Sequence, residues 1–247
     1  GVRLWANAPN HPELNFENPA VCDYIYAAPD SVVRAYLRAG IDGWRLDTAF
    51  ELGFHYLAEL TRSAHAEKPG SLGVGEVWNY PQGWMPAQDA IMNFTLREIL
   101  LQTANGRLPG GQAGRMLERM IADTGIEPLL KSWIMLDNHD TARLVDTIPD
   151  PESRRLAQLL QFTLPGAPNL YYGSELGLAG VGDPENRAPM PWEPIDNAGF
   201  SPPAREVSRT VMARATAFPA GMVARLLSPL EREAKSALAT EGHPAAT

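Results

Sequence analysis

Cysteine and positive charge are both scarce in this sequence. Cys22 is the only cysteine among the 247 residues, so neither an intramolecular disulfide nor a metal site built from several thiolates can form. Lysine and arginine total 21 against 29 aspartates and glutamates, which leaves a formal net charge of −8. Phosphate binding needs clustered Lys and Arg. The composition therefore argues against nucleic acid as a partner and leaves the redox compartment open.

Long apolar runs are also missing. No stretch approaches the roughly 18 uninterrupted apolar residues of a membrane-spanning helix, so we expect no membrane partner. The first residues lack the charged segment and apolar core of a signal peptide. Because the sequence does not begin with Met, we expect its true N-terminus to lie upstream. The sequence assigns no cellular compartment.

What the sequence does contain is an alternation of strand and helix patterns. Hydrophobic residues make up 45% and charged residues 20%, as in ordinary globular proteins. A helix is predicted from Pro19, capped by Asn18 and interrupted at Pro29. Another is predicted from Pro151, with Leu156, Leu159 and Leu160 facing inward. Strands are predicted at about residues 43–49, 72–77, 90–94, 132–137 and 168–172. This alternation predicts an α/β fold with a parallel sheet, open or closed into a barrel.

Charged and polar side chains lie at or just past the C-terminal ends of three of these predicted strands. In parallel α/β architectures the ligand binds at the carboxyl ends of the strands. Three carboxylates there suggest acid/base or nucleophilic chemistry, such as glycoside hydrolysis, although a divalent metal site is an alternative that the spacing leaves open. The candidates are Arg45, Asp47, Glu76, Asn138, His139 and Asp140.

The strings at these positions resemble motifs of the α-amylase family. GWRLDTAFE at 43–51, GEVW at 75–78 and LDNHDT at 136–141 are similar to the motifs of barrel strands four, five and seven. AIMNF at 90–94 and GAPNLYYGSE at 166–175 are similar to those of strands six and eight, in the family's order. The resemblance implies a retaining glycosidase with Asp47 as nucleophile, Glu76 as general acid/base and Asp140 as transition-state stabiliser.

The resemblance also implies a substrate-binding set around these carboxylates. It assigns Arg45 to holding Asp47 ionised and His139 to the sugar hydroxyls, with Asn138 beside it. Trp78 is the aromatic residue that we expect to stack on a sugar face, because an apolar ring suits the CH-rich surface of a sugar. No metal ligand is predicted among these residues.

Weaker signals point to a subgroup. Glu51, LNFENP at 14–19, GDPENR at 182–187 and PMPW at 189–192 are similar to the cyclomaltodextrinase and neopullulanase group. The resemblance implies hydrolysis of α-1,4 bonds, with α-1,6 bonds as a further option, in maltodextrins, cyclodextrins, pullulan or starch. Alternatives are an α-glucan transglycosylase, which intercepts the same covalent intermediate with a sugar hydroxyl, a non-catalytic glucan-binding barrel and an inactive fragment.

The same resemblance predicts the extent of the fold. A closed barrel of this class has eight strands, and nothing before Val21 matches the family's strand-three motif. We therefore expect a partial (β/α)₈ TIM barrel of strands four to eight, with strands one to three missing. Residues 1–200 would form the C-terminal part of the catalytic barrel, and 201–247 its last helix or a divergent tail. No cofactor is required by the sequence, while Ca²⁺ and a homodimer are options for the complete protein.

Overall fold

A computed structural model describes residues 2–5 and 8–192 of the chain, and a five-stranded sheet lies at its centre. The strands follow one another in chain order, and each is parallel to its neighbours. They are β1 (Gly43–Leu46), β2 (Leu72–Val77), β3 (Ala90–Asn93), β4 (Trp133–Ile134) and β5 (Ala167–Pro168). All carboxyl ends therefore meet at one edge. The predicted α/β arc of a partial barrel is confirmed, whereas residues 201–247 lie outside the described residues.

Helices connect and flank the strands. They are α1 (Pro19–Cys22), a π-helix (Asp23–Ala27), α2 (Val32–Arg38), α3 (Ala49–Glu67), α4 (Phe94–Ala104), α5 (Gly110–Thr124), α6 (Ile126–Lys131), α7 (Leu144–Thr147) and α8 (Pro151–Thr163). As predicted, the side chain of Asn18 caps α1 by accepting from the amide of Ala20, and the helical run stops before Pro29. Among the described residues, no helix has the length and apolarity that a membrane crossing requires.

Helix α8 packs differently from the prediction. Leu156 is 44% exposed, so its inward placement was wrong, whereas Leu160 packs against the core as predicted, and the helix fully buries Ala157 and Gln161. The amide of Gln161 donates to the carbonyl oxygens of Ile134 at 2.9 Å and Asn169 at 2.8 Å. The carbonyl oxygen of Ile134 also accepts from the amide of Asn169 at 2.8 Å, so the buried side chain of Gln161 ties α8 to both β4 and the residue that follows β5.

Strand β1 is shorter than predicted, and its end shapes the site. It stops at Leu46 rather than at residue 49, so Asp47 lies in the following turn. Thr48 then adopts a left-handed conformation with φ of +41°, which is uncommon for a β-branched residue. This turn changes the direction of the chain into α3 and leaves the amide of Thr48 pointing toward β2.

Candidate active site

Arg45 on β1 binds two of the predicted catalytic carboxylates at once. One terminal nitrogen, Nη1, donates to Asp47 Oδ1, and the other, Nη2, donates to Glu76 Oε2 at 2.8 Å. Strands β1 and β2 are paired, so this bridge crosses a single strand boundary. Asp47 lies in the turn after β1, and the contact brings it to the side of the strand that Arg45 faces. One guanidinium thus binds both carboxylates, each through a different terminal nitrogen.

Glu76 is enclosed by donors. It is 3% exposed, and its Oε2 also accepts from the amide of Thr48 at 3.1 Å. The second oxygen, Oε1, accepts from the indole Nε1 of Trp78 at 3.0 Å. Both carboxylate oxygens therefore have fixed partners, which orient the group and satisfy its buried polar atoms.

Asp47 has the opposite exposure. Its side chain is 75% exposed, against 4% for that of Glu76, although both bind the same arginine. The ion pair with Arg45 orients the carboxylate of Asp47, and the exposure leaves that carboxylate accessible. An accessible, oriented carboxylate beside a shielded one is the asymmetry that a nucleophile and a proton donor require.

A second polar group follows β4. His139 Nε2 lies 3.0 Å from Asp140 Oδ2, and Arg187 Nη2 donates to Asp140 Oδ1 at 2.8 Å. Asn138 is buried, and its Oδ1 accepts from the amide of Asp140 at 3.0 Å. Asn138 thus builds the turn that presents Asp140, and its predicted contact with substrate stays a prediction.

Asn186 holds this turn from a distant segment and was not identified from the sequence. It is buried, and its Nδ2 donates to the carbonyl oxygens of His139 at 2.8 Å and Thr141 at 3.0 Å. The string GDPENR indicated only a subgroup, and Asn186 and Arg187 within it supply the contacts. A polar string near the strand-eight motif was the available signal, but nothing local pointed to its partners.

Further buried polar residues hold the turn that follows β4. Asp137 accepts from the amide of Leu144 at 2.9 Å and from Ser174 Oγ at 2.6 Å. Burial raises the pKa of Asp137 above its ordinary value, although both hydrogen bonds oppose that shift. The fully buried Arg143 stacks on the ring of Tyr171, 4.0 Å from its centroid. The turn that follows β4 is therefore anchored by the hydrogen bonds to Asp137 and by the packing of Arg143.

The two polar groups share an edge of the sheet but remain separate. Within residues 2–5 and 8–192, no hydrogen bond or ion pair joins Asp47 and Glu76 to His139 and Asp140, and β3 lies between their strands. The described part of the chain also contains no cluster of three or more His, Cys, Asp or Glu side chains arranged to hold a metal ion. The divalent-metal alternative thus gains no geometric support, and a calcium requirement of the complete protein stays a prediction.

Trp78 occupies the space beside Glu76. Its ring stacks on Phe94, with centroids 3.7 Å apart and planes at 17°, while 45% of the residue remains exposed. One face of the indole is thus covered by protein. Stacking of a sugar on the other face stays a prediction.

Known proteins resemble the chain over most of its length. The family model described as "Alpha amylase, catalytic domain" matches residues 3–213. Neopullulanase 2 of Thermoactinomyces vulgaris is 36% identical over 189 residues, which cover 75% of this chain and 32% of that protein. A cyclomaltodextrinase of Bacillus sp is 34% identical over 193 residues, covering 76% of this chain and 34% of its own length. The chain spans about a third of the length of these relatives.

Solved structures agree with this assignment. The cyclic α-maltosyl-(1→6)-maltose hydrolase of Arthrobacter globiformis superposes with a TM-score of 0.78 at 29% identity, covering 85% of this chain and 47% of that one. The Nostoc punctiforme debranching enzyme superposes with a TM-score of 0.76 at 30% identity, covering 88% and 47%. Motifs, sheet topology and comparisons converge, and the chain therefore belongs to the α-amylase family of glycoside hydrolases.

Proposed function

We propose that this chain carries the catalytic carboxylates of a retaining α-glucan hydrolase. The observation that supports the proposal most directly is the guanidinium of Arg45, which binds both Asp47 and Glu76. Retaining glycosidases need their two carboxyl groups about 5 to 5.5 Å apart, closer than inverting enzymes do. Two carboxylates on neighbouring nitrogens of one guanidinium suit the shorter separation.

In the first step, Asp47 attacks the anomeric carbon and forms a glycosyl ester, while the glycosidic C–O bond breaks. Glu76 donates its proton to the leaving oxygen, so the departing sugar leaves as an alcohol. The exposure of Asp47 permits the approach of the sugar, and the ion pair with Arg45 keeps its carboxylate oriented.

In the second step, Glu76 acts as a general base. It takes a proton from water, the water oxygen attacks the anomeric carbon, and the bond to Asp47 breaks. The donors around Glu76, which are Arg45, the amide of Thr48 and the indole of Trp78, fix the orientation of its carboxyl group. Net inversion in each step restores the original α configuration.

His139 and Asp140, which follow β4, act on the sugar hydroxyls from the part of the site opposite Asp47 and Glu76. The two side chains contact each other at 3.0 Å, and Asp140 also pairs with Arg187. These contacts hold both polar groups near the carboxyl ends of the strands. Hydrogen bonds between the sugar and these groups strengthen as positive charge develops on the sugar ring in the transition state, and this lowers the activation barrier. Asn138 assists by fixing the turn.

The substrate class follows from the relatives. Their names include neopullulanase, cyclomaltodextrinase and a hydrolase of cyclic α-maltosyl-(1→6)-maltose, and one solved relative holds maltose. We infer α-1,4 glucosidic bonds as the principal target, with α-1,6 bonds as a second, in maltodextrins, cyclodextrins, pullulan or starch. Interception of the intermediate by a sugar instead of water would make the same site a transglycosylase.

The proposal is tested by reducing-sugar release from β-cyclodextrin, pullulan and soluble starch. Asp47→Asn should abolish release, because the amide is a poor nucleophile. Asp42→Asn is the matched control, since its side chain is 97% exposed and pairs with Lys68 away from the site. Circular dichroism of each sample verifies folding. Proton NMR of the first product should show the α anomer. Equal release by both variants, or a β product, would contradict the proposal.

A further inference from the structure

A methionine on β3 completes the set of partners of Arg45. The Nε of Arg45 donates to the thioether sulfur of Met92, and 3.5 Å separates the two atoms. The terminal nitrogens of the same guanidinium bind Asp47 and Glu76. No other acceptor for Nε occurs in the part of the chain that the structure describes. Each nitrogen therefore has its own acceptor, and the three acceptors come from the turn after β1, from β2 and from β3.

The pairing of the strands explains how one side chain reaches all three. Glu76 of β2 and Met92 of β3 are directly paired, whereas Arg45 of β1 pairs with Val74, two residues before Glu76. Paired residues of neighbouring strands point to the same side of a sheet. The side chain of Arg45 thus runs toward the carboxyl ends of the strands and crosses β2 to reach β3. It links three consecutive strands at the level of Glu76.

Buried apolar neighbours hold the sulfur of Met92 in place. The residue is 4% exposed. Its unbranched side chain has three rotatable bonds, so the position of the sulfur depends on close packing. The other buried members of its cluster are Val74, Ala90, Phe94 and Met135. The sulfur is therefore a fixed acceptor in an apolar environment.

Both oxygens of Glu76 are connected to this cluster. Oε2 accepts from Arg45, which in turn donates to Met92. Oε1 accepts from the indole of Trp78, whose ring stacks on Phe94. Strand β3 and the start of α4 carry none of the predicted catalytic carboxylates, and yet they support one of them from two directions.

We propose that Met92 is a positioning residue, which fixes the plane of the Arg45 guanidinium and through it the geometry of Asp47 and Glu76. The catalytic part of this inference rests on the proposed function. Two bonds from the terminal nitrogens leave the planar group free to pivot about the line that joins its two acceptors, and a third acceptor at Nε removes that freedom. A thioether accepts weakly, so it orients the N–H while the two carboxylates remain the principal partners.

The kinetic test replaces Met92 by leucine, which has a similar volume but no acceptor. On maltoheptaose, kcat should fall about five- to twentyfold while KM stays within about twofold, because the carboxylates lose their alignment and the sugar keeps its contacts. Met135→Leu is the control for packing in the same cluster. Met120→Leu is the control for a lost sulfur acceptor, since Met120 Sδ accepts from Asn93 Nδ2 at 3.4 Å. Both controls should keep kcat within about twofold of the parent.

A second measurement does not depend on catalysis. NMR of the arginine side chains follows hydrogen exchange of the Arg45 Nε–H, whose signal is identified by its loss in Arg45→Lys. Met92→Leu should speed this exchange about tenfold, because the N–H loses its acceptor, and both controls should leave the rate unchanged. Circular dichroism of each sample verifies folding.

The outcomes separate the role of Met92 from the catalytic proposal. Unchanged exchange in Met92→Leu, unchanged kcat, or an equal fall of kcat in Met135→Leu would each overturn the positioning role. A parent chain that releases no sugar would overturn the hydrolase, and the exchange of the Arg45 Nε–H alone would then decide whether Met92 orients the guanidinium.

Discussion

The side-chain amide of Asn186 donates to the carbonyl oxygen of His139, 2.8 Å away, across 47 residues of sequence. A second bond reaches Thr141 at 3.0 Å, so one side chain spans the turn that carries His139 and Asp140. The next residue, Arg187, pairs with Asp140 itself. The position of the proposed transition-state stabiliser therefore depends on a segment outside its own motif.

Asn186→Ala should lower kcat about 10- to 100-fold with a smaller effect on KM, because the turn loses both clamps and Asp140 its fixed position. Asn105→Ala is the matched control. Asn105 also donates to two carbonyl oxygens, those of Leu101 and Thr147, but far from the strand ends. Both variants should lose about 1 to 2 kcal/mol of stability. Equal losses of kcat in the two variants would show that Asn186 is merely structural.

Arg45→Lys should cost about 100-fold or more in kcat, because an ammonium is a point charge and cannot bridge Asp47 and Glu76 as the planar guanidinium does. Steady-state kinetics on a maltodextrin measures the loss. Arg38→Lys provides the control, since Arg38 pairs with Glu67 at 3.0 Å on the surface. An Arg45→Lys enzyme with near-normal kcat would mean that charge alone suffices.

Trp78→Phe separates the two contacts of the indole. The substitution removes the N–H that donates to Glu76 but keeps an aromatic ring against Phe94. We expect kcat to fall about tenfold, because Glu76 loses an orienting donor worth about 1.5 kcal/mol. Trp84→Phe, next to Phe54, should leave kcat unchanged. If KM rises while kcat holds, Trp78 acts through sugar stacking instead.

Asp137 should make the free energy of unfolding fall as pH rises. Burial raises its pKa in the folded protein above the ordinary value of 3.8, so the folded state binds the proton more tightly than the unfolded state. The resulting stability is fully present below that ordinary value and is lost as pH rises through the folded pKa. Urea unfolding from about pH 3 to about pH 7 should show this loss, and Asp137→Asn should lack it. Parallel profiles of the two proteins would contradict this.

Local patterns were enough to predict the strands, and contiguous strings marked the candidate carboxylates, whose catalytic roles stay a prediction. Alternation of strand and helix periods placed all five strands within a few residues. These inferences succeed because side-chain direction repeats over a few residues and because strings such as GWRLDT and GEVW are contiguous.

Other features depended on how distant segments meet. The bridge from Arg45 to Glu76, the indole bond of Trp78, the clamp by Asn186 and the exposure of Leu156 each rest on a loop path or on a helix rotation. No local pattern encodes these, because a hydrogen bond across 47 residues leaves no periodic trace at either end. The sequence thus determined which residue types occur at the site. Their orientation, their burial and the hydrogen bonds between them were decided only by the tertiary structure, because these depend on how the strands pair and where the loops lie.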